Sequence, residues 1–511
     1  MKRHHRSRRG SILLLVLIII PVLSLAAYSF THWMRAEATG SVAHLRSTQS
    51  LWLAHSGVEY TRALLSDPAN LVPGALNLFD NDTNQFGKIL VAQDFRSSQG
   101  FFSIVAPSRT TNTQEIRYGL VNESAKIPLH LPAVILQGST DDQRTRLMNL
   151  PNMTEDVADA ILDWLDPDND TRAAGAEADY YLSLATPYSP RNAPPRTMGE
   201  LLLIRGVTPW LLYGEDANLD GVLNPNENDG DRSWPPDNAD GTLDRGWFPF
   251  LTIYSAANNL DPNGEQKINL NGNLDDDKDT LVGLFGQDWY DFVTAYKSVN
   301  AGKQIRAVSS LIDAKVDVPN QRPGGGGGGG LPMGGGRGGG QQQAKQTINS
   351  PWTSQNVQQY LDNALQYLCV SDSKTPESSP GLIDVTGAPF EVIAAIPGLT
   401  VETAQTVAGA TKERQAGDLS PAWLLTEGLV TLKDFQKIEA LLTTQGRVYR
   451  FDSVGFFSEP GPVARVEAVI DATQSPPVVV YRRELAAVGA GYPHQTLIGP
   501  GTSAQMPSTL E

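Results

Sequence analysis

Twelve consecutive residues near the middle of the chain carry oxygen-bearing side chains at the spacing of a calcium-binding loop of the EF-hand type. Gly221 stands at the sixth position, where such a loop turns sharply, and a glutamate stands at the twelfth, where a bidentate carboxylate closes it. Because Ca²⁺ prefers carboxylate, amide and carbonyl oxygens, the pattern predicts a calcium site; the alternative is a solvated turn rich in Asp and Asn. The predicted ligands, one of them through its backbone carbonyl (Val222), are Asp216, Asn218, Asp220, Val222, Asn224 and Glu227.

Two other acidic stretches match less of this pattern. Residues 238–241 have its middle, but Pro236 and Trp247 occupy the first and last ligand positions. A later run has alternating aspartates with a lysine among them, namely Asp275, Asp277 and Asp279 around Lys278. We expect both stretches to be solvated loops, and binding of a second ion by the later run stays open.

Residues 163–170 are dense enough in carboxylates to suggest an acid–base pair for hydrolysis. The sequence has no Ser/His/Asp set, phosphate-binding loop or dinucleotide fingerprint to accompany them, and its seven histidines show no paired metal-ligand spacing. Three nearby arginines offer ion-pair partners instead: Arg172, Arg191 and Arg196. We therefore expect no enzymatic activity.

The composition limits the partners and the cross-links of the chain. Its 511 residues carry a formal net charge of −16 despite a basic N-terminus, which argues against nucleic acid as a partner. The one cysteine, Cys369, excludes an intramolecular disulfide. Three hydrophobic turns, at residues 150–154, 204–208 and 396–400, resemble helix-hairpin-helix modules, but their acidic surroundings favour helix packing over DNA binding.

The elements that must position these residues begin with a long N-terminal helix. Five lysines and arginines lie between positions 2 and 9, and an apolar run follows at residues 12–23. With its weakly polar continuation through Phe30, that run is long enough to cross a bilayer, with the basic side in the cytoplasm and the rest exported. Apolar residues at spacings of three and four continue from residue 35 to residue 65, and examples are Leu45, Trp52, Val58 and Leu65. The pattern predicts one helix of about 80 Å.

Strand-forming sequence lies at both ends of the remaining chain, and helix-forming sequence lies between. Residues 100–106 and 115–121 are typical of a hairpin, and three later runs, at 448–457, 463–469 and 478–483, have the same character. We predict an α+β fold in which the long helix packs on one antiparallel sheet and a large helical domain is inserted between the strands.

The N-terminus resembles that of type IV pilin-like proteins. Gly10 ends the basic leader, Ser11 follows, and the apolar run begins at once. The resemblance implies cleavage after Gly10 by a prepilin peptidase and methylation of the Ser11 amine. Leu15 stands where most such subunits have a glutamate that pairs with a neighbour's amine, which suits a subunit at the tip of a fibre. The alternatives are a plain signal anchor and a signal peptide removed near residues 26–28.

A longer motif resembles the K-type minor pseudopilins of type II secretion systems. Its parts are residues 160–168, Arg172, 175–177, 180–181, 187–188, 192–194, 200–202, 268–271, 394–400 and 449–451. The resemblance implies a pilin fold with a helical insertion, a place at the tip of a periplasmic pseudopilus, and an inner-membrane anchor. It also implies the other minor pseudopilins and the major pseudopilin as partners along the helix. Calcium outside the cytosol would act structurally rather than as a signal.

These expectations divide the chain into the parts of a pilin-like protein that carries a helical insertion. The predicted parts are the leader (1–10), the N-terminal helix (11–66), the first part of the β domain (67–130), the inserted domain with the calcium loop (131–320), a flexible Gly/Gln-rich loop (321–348), a second helical part (349–445), the C-terminal hairpins (446–490) and a flexible tail (491–511).

Two other functions remain compatible with the leader. A minor pilin of a type IV-like surface fibre would share it, but would need a basic or aromatic surface, which the acidic composition does not suggest. An exported calcium-binding enzyme on a signal anchor would keep the leader intact. The N-terminus of the mature protein separates these readings, because pilin-type processing leaves Ser11 first.

Overall fold

The computed structural model describes residues 9–71, 77–79, 82–93, 99–107, 116–319, 345–370, 378–413, 420–489 and 491–498. Most of the predicted leader, nearly all of the Gly/Gln-rich loop and the tail from residue 499 onward lie outside the described residues.

One helix, α1 (Arg9–Leu65), runs for 57 residues, which corresponds to about 85 Å. From Leu13 onward the apolar first half of α1 is exposed, and the helix is long and apolar enough to cross a membrane. The helix becomes buried only near Ser50, where it reaches the sheet. The N-terminal segment is therefore a candidate membrane anchor that continues without a break into the folded domain.

The first part of the sheet follows α1. Its elements are α2 (Thr83–Phe86), β1 (Ile89–Gln93), β2 (Gln99–Ala106), β3 (Arg117–Tyr118) and β4 (Val121–Asn122). Strands β2 and β3 pair as an antiparallel hairpin, with Val105 opposite Tyr118. The chain then leaves the sheet and enters the inserted domain.

The inserted domain consists of short helices and two-stranded ribbons around one large core. Its helices are α3 (Pro132–Ile135), α4 (Thr140–Leu147), α5 (Glu155–Leu165), α6 (Ala178–Leu182), α7 (Pro209–Tyr213), α8 (Lys278–Phe285), α9 (Gln287–Val299), α10 (Val357–Tyr367), α11 (Phe390–Ala394), α12 (Val401–Glu413), α13 (Trp423–Thr426) and α14 (Leu432–Ile438). Its strands are β5 (Ile127–Pro128), β6 (Leu251–Thr252), β7 (Ala256–Asn258), β8 (Ile268–Asn269), β9 (Lys315–Pro319), β10 (Lys345–Asn349), β11 (Leu368–Cys369), β12 (Ser378–Pro380), β13 (Ile383–Asp384) and β14 (Leu442–Thr443).

The segments before and after the Gly/Gln-rich loop share that core. Trp164 and Trp289 from the first segment belong to the same buried cluster as Trp352 and Phe435 from the second. Strands β9 and β10, which flank the loop, pair with each other. The two helical segments are therefore parts of one packed body.

The chain returns to the sheet with its longest strands, β15 (Val448–Phe457), β16 (Ala464–Asp471) and β17 (Val478–Glu484), followed by α15 (His494–Ile498). The strand order is β1-β2-β15-β16-β17, β3 pairs with β2 and β4 pairs with β15, and every pairing in this sheet is antiparallel. Both edge strands contain a bulge, at Val91 and Val480, which disfavours edge-to-edge aggregation.

The second half of α1 packs on one face of this sheet. Ala54, Val58 and Leu65 of the helix share a buried cluster with Ile104 of β2 and Phe451 of β15. Helix α1 comes so close to the sheet at Gly455 of β15 that a side chain there would place its Cβ only 2.0 Å from the carbonyl oxygen of Ser50.

Two apolar residues of the predicted amphipathic pattern lie elsewhere. Leu45 and Trp52 are 57% and 66% exposed, on the side of α1 that the sheet does not cover. The predicted fold class is confirmed: a long N-terminal helix packs on an antiparallel sheet that is interrupted by a large, mainly helical domain.

Candidate functional site

A closed excursion of the chain, residues 215–245, carries the predicted calcium loop; we call it the acidic excursion. It leaves α7 at Gly214 and returns at Gly246, both with positive φ. A Cβ atom on Gly214 would lie 2.1 Å from the carbonyl oxygen of Asp244, and one on Gly246 would lie 2.5 Å from that of Leu211. Only glycine allows the two ends to approach this closely.

The first turn of the loop is closed by hydrogen bonds from backbone N–H groups to carboxylates. The Asp216 carboxylate accepts from the backbone N–H groups of Asp220 and Gly221, both at 3.0 Å, and Gly221 has a φ of 68°. Asp220 Oδ1 accepts from the N–H of Val222 at 2.7 Å. The two carboxylates therefore hold the backbone of residues 220–222 in a tight turn.

Several predicted ligands converge on the side chain of Asn224. Its Nδ2 donates to Asp220 Oδ2 at 3.1 Å, to the carbonyl oxygen of Val222 at 2.9 Å and to Glu227 Oε2 at 3.2 Å. Asn218 also donates to Asp220 Oδ2, at 2.9 Å. A half-turn of the Asn224 amide would place its oxygen beside the other three, since the amide's two ends have nearly the same shape. The structure thus brings five of the six predicted ligands together, while the Asp216 carboxylate is held by loop amides.

The charge of the loop is poorly balanced. Burial raises the pKa of Asp220 to about 6, and the nearby charge of Asp216 adds to the shift. Burial also raises the pKa of Glu227 to about 7. The opposing charges are those of Arg245, whose Nε lies 3.7 Å from Asp216 Oδ2, and of Arg465, which acts on both Asp216 and Asp220. Buried carboxylates with raised pKa values favour the approach of a cation.

The loop is fixed against the face of the sheet opposite α1. Arg465 of β16 donates to the backbone carbonyls of Asn218 and Leu219, and the Tyr492 hydroxyl donates to that of Asp220 at 3.0 Å. Val222 packs on a buried cluster that includes Phe456. The predicted calcium loop therefore bridges the inserted domain and the sheet.

A second acidic group, the carboxylate trio of Asp166, Asp168 and Glu177, forms between the end of α5 and the start of α6. One oxygen from each residue lies within 4.8 Å of the others. Glu177 and Asp166 are more than nine-tenths buried. Burial raises the pKa of Glu177 to about 7, and the charges of Asp163 and Asp166 add to this shift.

Three buried acceptor atoms of the trio region lack donors. Asp166 Oδ1, Glu177 Oε1 and Asn192 Oδ1 accept no hydrogen bond from the residues that the structure describes. Arg172 Nε also lacks a partner among the described residues, but its guanidinium already binds Asp163 and Asp166. Three unsatisfied oxygens against one unsatisfied donor suit a hard cation. The sequence reading missed this group because Glu177 and Asn192 come from separate turns; the signal available was the Asp166–Asp168 alternation within the longer motif.

The rest of the 163–170 stretch is occupied by an ion pair. Arg172 Nη1 donates to Asp163 Oδ1 at 2.7 Å and also to Asp166 Oδ2. Arg191 pairs instead with Glu200. These ion pairs support the fold around the end of α5.

The other candidate positions have simpler surroundings. Asp275 Oδ1 accepts from the Tyr290 hydroxyl at 2.7 Å, and Lys297 donates its ammonium protons to the carbonyl of Gly272, so a cationic side chain already occupies that turn. In residues 238–241, Asn238 Oδ1 accepts from the N–H of Asp240 in an ordinary turn. Gly10 and Ser11 lie in the first turn of α1.

The comparisons with known proteins agree with the sequence resemblance. Residues 137–213 match the family model described as type II secretion system (T2SS), protein K. Type II secretion system protein K of Pectobacterium carotovorum subsp. carotovorum is 29% identical over 219 residues, which cover 42% of this chain and 61% of that protein. The protein of the same name from Klebsiella pneumoniae is 26% identical over 204 residues, which cover 40% of this chain and 59% of that protein. The similarity thus spans about six tenths of these relatives' length.

A solved structure shows a looser similarity. A chain in the crystal structure of the GspK-GspI-GspJ complex from the enterotoxigenic Escherichia coli type 2 secretion system is 10% identical to this chain. The match covers 88% of this chain and 99% of that one, with a TM-score of 0.37. That agreement is too loose to transfer individual residues.

The matched family segment covers α4 to α7 and contains the carboxylate trio, and it ends directly before the acidic excursion. The resemblance stated from the sequence is confirmed by the family model and by both relatives. This chain is similar to protein K of the type II secretion system.

Proposed function

We propose that this chain is a structural minor pseudopilin that caps the tip of the periplasmic pseudopilus of a type II secretion system. The observation that carries the proposal is the unbroken helix α1, which joins an exposed apolar segment to the antiparallel sheet. The domain inserted in that sheet contains the segment that matches the protein K family model. The protein acts by assembly and not by catalysis. With this helix as its anchor, the protein would lie in the inner membrane with its bulk in the periplasm.

Two features support a position at the tip. The inserted domain adds a large body to a pilin-like sheet, which would obstruct a further subunit stacked above it. Leu15 offers no carboxylate to the terminal amine of a neighbouring subunit. The exposed Leu45 and Trp52 give α1 an apolar side on which the other minor pseudopilins and the major pseudopilin would pack.

The processing of the N-terminus tests the pilin-type reading. We expect the membrane-extracted protein to begin at Ser11 with a methylated amine, and the Gly10→Val variant to keep Met1, because the peptidase needs a small residue before the cut. Mass spectrometry of the N-terminal peptide measures both. Gly40→Ala is the matched control, since no atom lies within 4 Å of the Cβ it would add. A start beyond Phe30 or an uncut wild-type leader contradicts the proposal.

The tip position has a separate test. An affinity label placed after residue 498 should appear at one end of sheared fibres in electron micrographs. A label distributed along the fibres would favour the rival function, an ordinary subunit of a surface fibre. Full assembly of fibres without this chain would contradict a capping role.

We further propose calcium as a structural cofactor of the acidic excursion. The support is the convergence of Asp220, Val222 and Glu227 oxygens on one point, next to carboxylates whose pKa values burial has raised. Asn218, Asn224 and Asp216 would complete the ligand set. The ion would neutralise the loop and hold it against β16. The unsatisfied oxygens of the carboxylate trio make that group a second candidate for the same ion.

Calcium should raise the thermal stability of the detergent-solubilised protein. At a concentration of 100 times Kd, one site adds about 2.7 kcal/mol to the free energy of unfolding. The double variant Asp220→Asn/Glu227→Gln should lose the calcium-dependent stabilisation that comes from the acidic excursion. Glu177→Gln should lose the stabilisation that comes from the carboxylate trio. Calorimetry with calcium and with a chelator measures the differences.

Asp240→Asn serves as the control for charge alone, because Asp240 is exposed in the weaker acidic stretch. It should respond to calcium as the wild-type protein does. If the wild-type protein melts at the same temperature with calcium and with chelator, calcium binding at both sites is refuted.

A further inference from the structure

A cavity of about 340 Å³ lies where the long helix, the sheet and the inserted domain meet. This volume is at the lower end of ligand pockets, which measure roughly 300–1,000 Å³. Its walls come from the end of α1, from the segment that follows β7, and from the turn between β16 and β17. Among the lining residues are Leu65, Ser66, Gln266, Arg447, Gln474 and Ser475.

Arg447 is held rigidly at the wall of this cavity. Its N–H donates to the carbonyl of Ala256 in the inserted domain at 3.0 Å, and its own carbonyl accepts from the N–H of Ala472 at 2.8 Å. The backbone is therefore fixed on both sides at the point where the chain enters β15. The fixed backbone sets the direction in which the Arg447 side chain leaves the strand.

The guanidinium of Arg447 makes no ion pair and no hydrogen bond with the residues that the structure describes. Comparable arginines have partners: Arg146 donates to a carbonyl, Arg450 to two glutamates, and Arg465 pairs with Asp452. The one carboxylate in the lining, that of Glu265, is exposed and forms no ion pair with Arg447. The Arg447 side chain thus lines a cavity, whereas the other three arginines contact a partner within the protein.

The desolvation of the Arg447 guanidinium is unfavourable, and no ion pair or hydrogen bond with the described residues offsets it. Burial lowers the pKa of Arg447, since desolvation disfavours its charged form. An anion with two oxygens in one plane would match the fork of the guanidinium and restore the lost interactions. The cavity contains one cation and one nearby glutamate, so a singly charged carboxylate suits it better than a doubly charged phosphate.

We propose that this cavity binds a carboxylate group, with Arg447 as its anchor. The carboxylate comes either from an acidic side chain of a neighbouring fibre protein or from a free organic acid. Both sources present the same chemistry, and the site itself does not depend on the proposed position at the fibre tip.

The stability of Arg447→Met tests the absence of an internal partner. Methionine keeps an apolar stem of similar length, so removal of an unpaired charge should leave the melting temperature unchanged or raise it by about 2 °C. Arg482→Met on the exposed strand β17 is the matched control, with no expected change. A fall of several degrees, as expected for a paired arginine, would overturn the proposal.

Butyrate, which carries one carboxylate, is the probe for the ligand, in a chloride buffer free of other carboxylates. It should raise the melting temperature of the wild-type protein and of Arg482→Met by at least about 2 °C, whereas neutral butyramide should not, and Arg447→Met should respond to neither. Equal responses of the wild-type protein and Arg447→Met would show that butyrate acts elsewhere and would overturn the proposal.

A photo-crosslinking residue in place of Gln474 identifies the source in cells. An adduct with another fibre subunit that is lost in Arg447→Met assigns the carboxylate to a neighbouring protein. A butyrate response without such an adduct assigns the carboxylate to a free acid. The absence of both the adduct and the response would refute the site.

Discussion

Replacing Arg450 by methionine should lower the free energy of unfolding by about 3–5 kcal/mol, because the change leaves buried carboxylates without their main counter-charge. Arg450 lies in the middle of β15 and is 8% exposed. Its guanidinium donates to Glu123, at 2.9 Å from Nε to Oε1, and to Glu467 on β16. Lys126 also pairs with Glu123, so removal of Arg450 leaves one cation beside two buried glutamates. Urea unfolding of the variant and the wild-type protein measures the loss.

The same cluster predicts a dependence on pH. Burial opposes ionisation of Glu123, but the charges of Arg450 and Lys126 outweigh it and lower its pKa to about 2. A lowered carboxyl pKa contributes stability that is complete above the unfolded value of 4.5 and is lost as the pH falls towards 2. The difference between the wild-type protein and Arg450→Met should therefore shrink below pH 4.5. Arg482→Met should change stability by less than about 0.5 kcal/mol at any pH.

The Gly455→Ala variant should lose about 3 kcal/mol of stability, because one methyl group would separate α1 from the sheet. The added Cβ would lie 2.0 Å from the carbonyl oxygen of Ser50 and 2.5 Å from the backbone nitrogen of Ala54. Both are backbone atoms of a helix, so neither can move aside alone. Hydrogen exchange should show faster exchange in the second half of α1 and in β15, alongside a lower melting temperature.

Gly409→Ala is the matched control for this change. Gly409 lies in the exposed interior of α12, with no atom within 4 Å of the Cβ it would gain. Alanine in a helix interior is better than glycine by about 0.5–1 kcal/mol, so the control should be slightly more stable than the wild-type protein. Equal losses in both variants would contradict the close approach of α1 to β15.

The sequence predicted the elements whose signal is local. The long apolar and amphipathic run corresponds to α1, and the β-branched runs at both ends correspond to the strands of one antiparallel sheet. The turn at Gly221 could be predicted because its hydrogen bonds join residues within one short loop. Such features depend on neighbours in the chain, so their pattern is visible without the fold.

Features that join distant segments could not be predicted in this way. The direction of Trp52 depends on where the sheet lies, and helical spacing alone did not separate it from the buried Val58. Glu177 joins Asp166 only after the chain has turned between α5 and α6. The missing partner of Arg447 is a property of three converging segments. Each of these required the tertiary arrangement.

The position of the insertion dictates the order in which this protein can fold. Arg450 and Glu123 meet across 327 positions of sequence, and β15 is the central strand to which β2, β4 and β16 are bonded. In the export that we propose, β2 would wait without its partner strand β15 until the entire insertion had crossed the membrane. A stem held in the membrane would then keep nascent chains apart and protect them from premature aggregation.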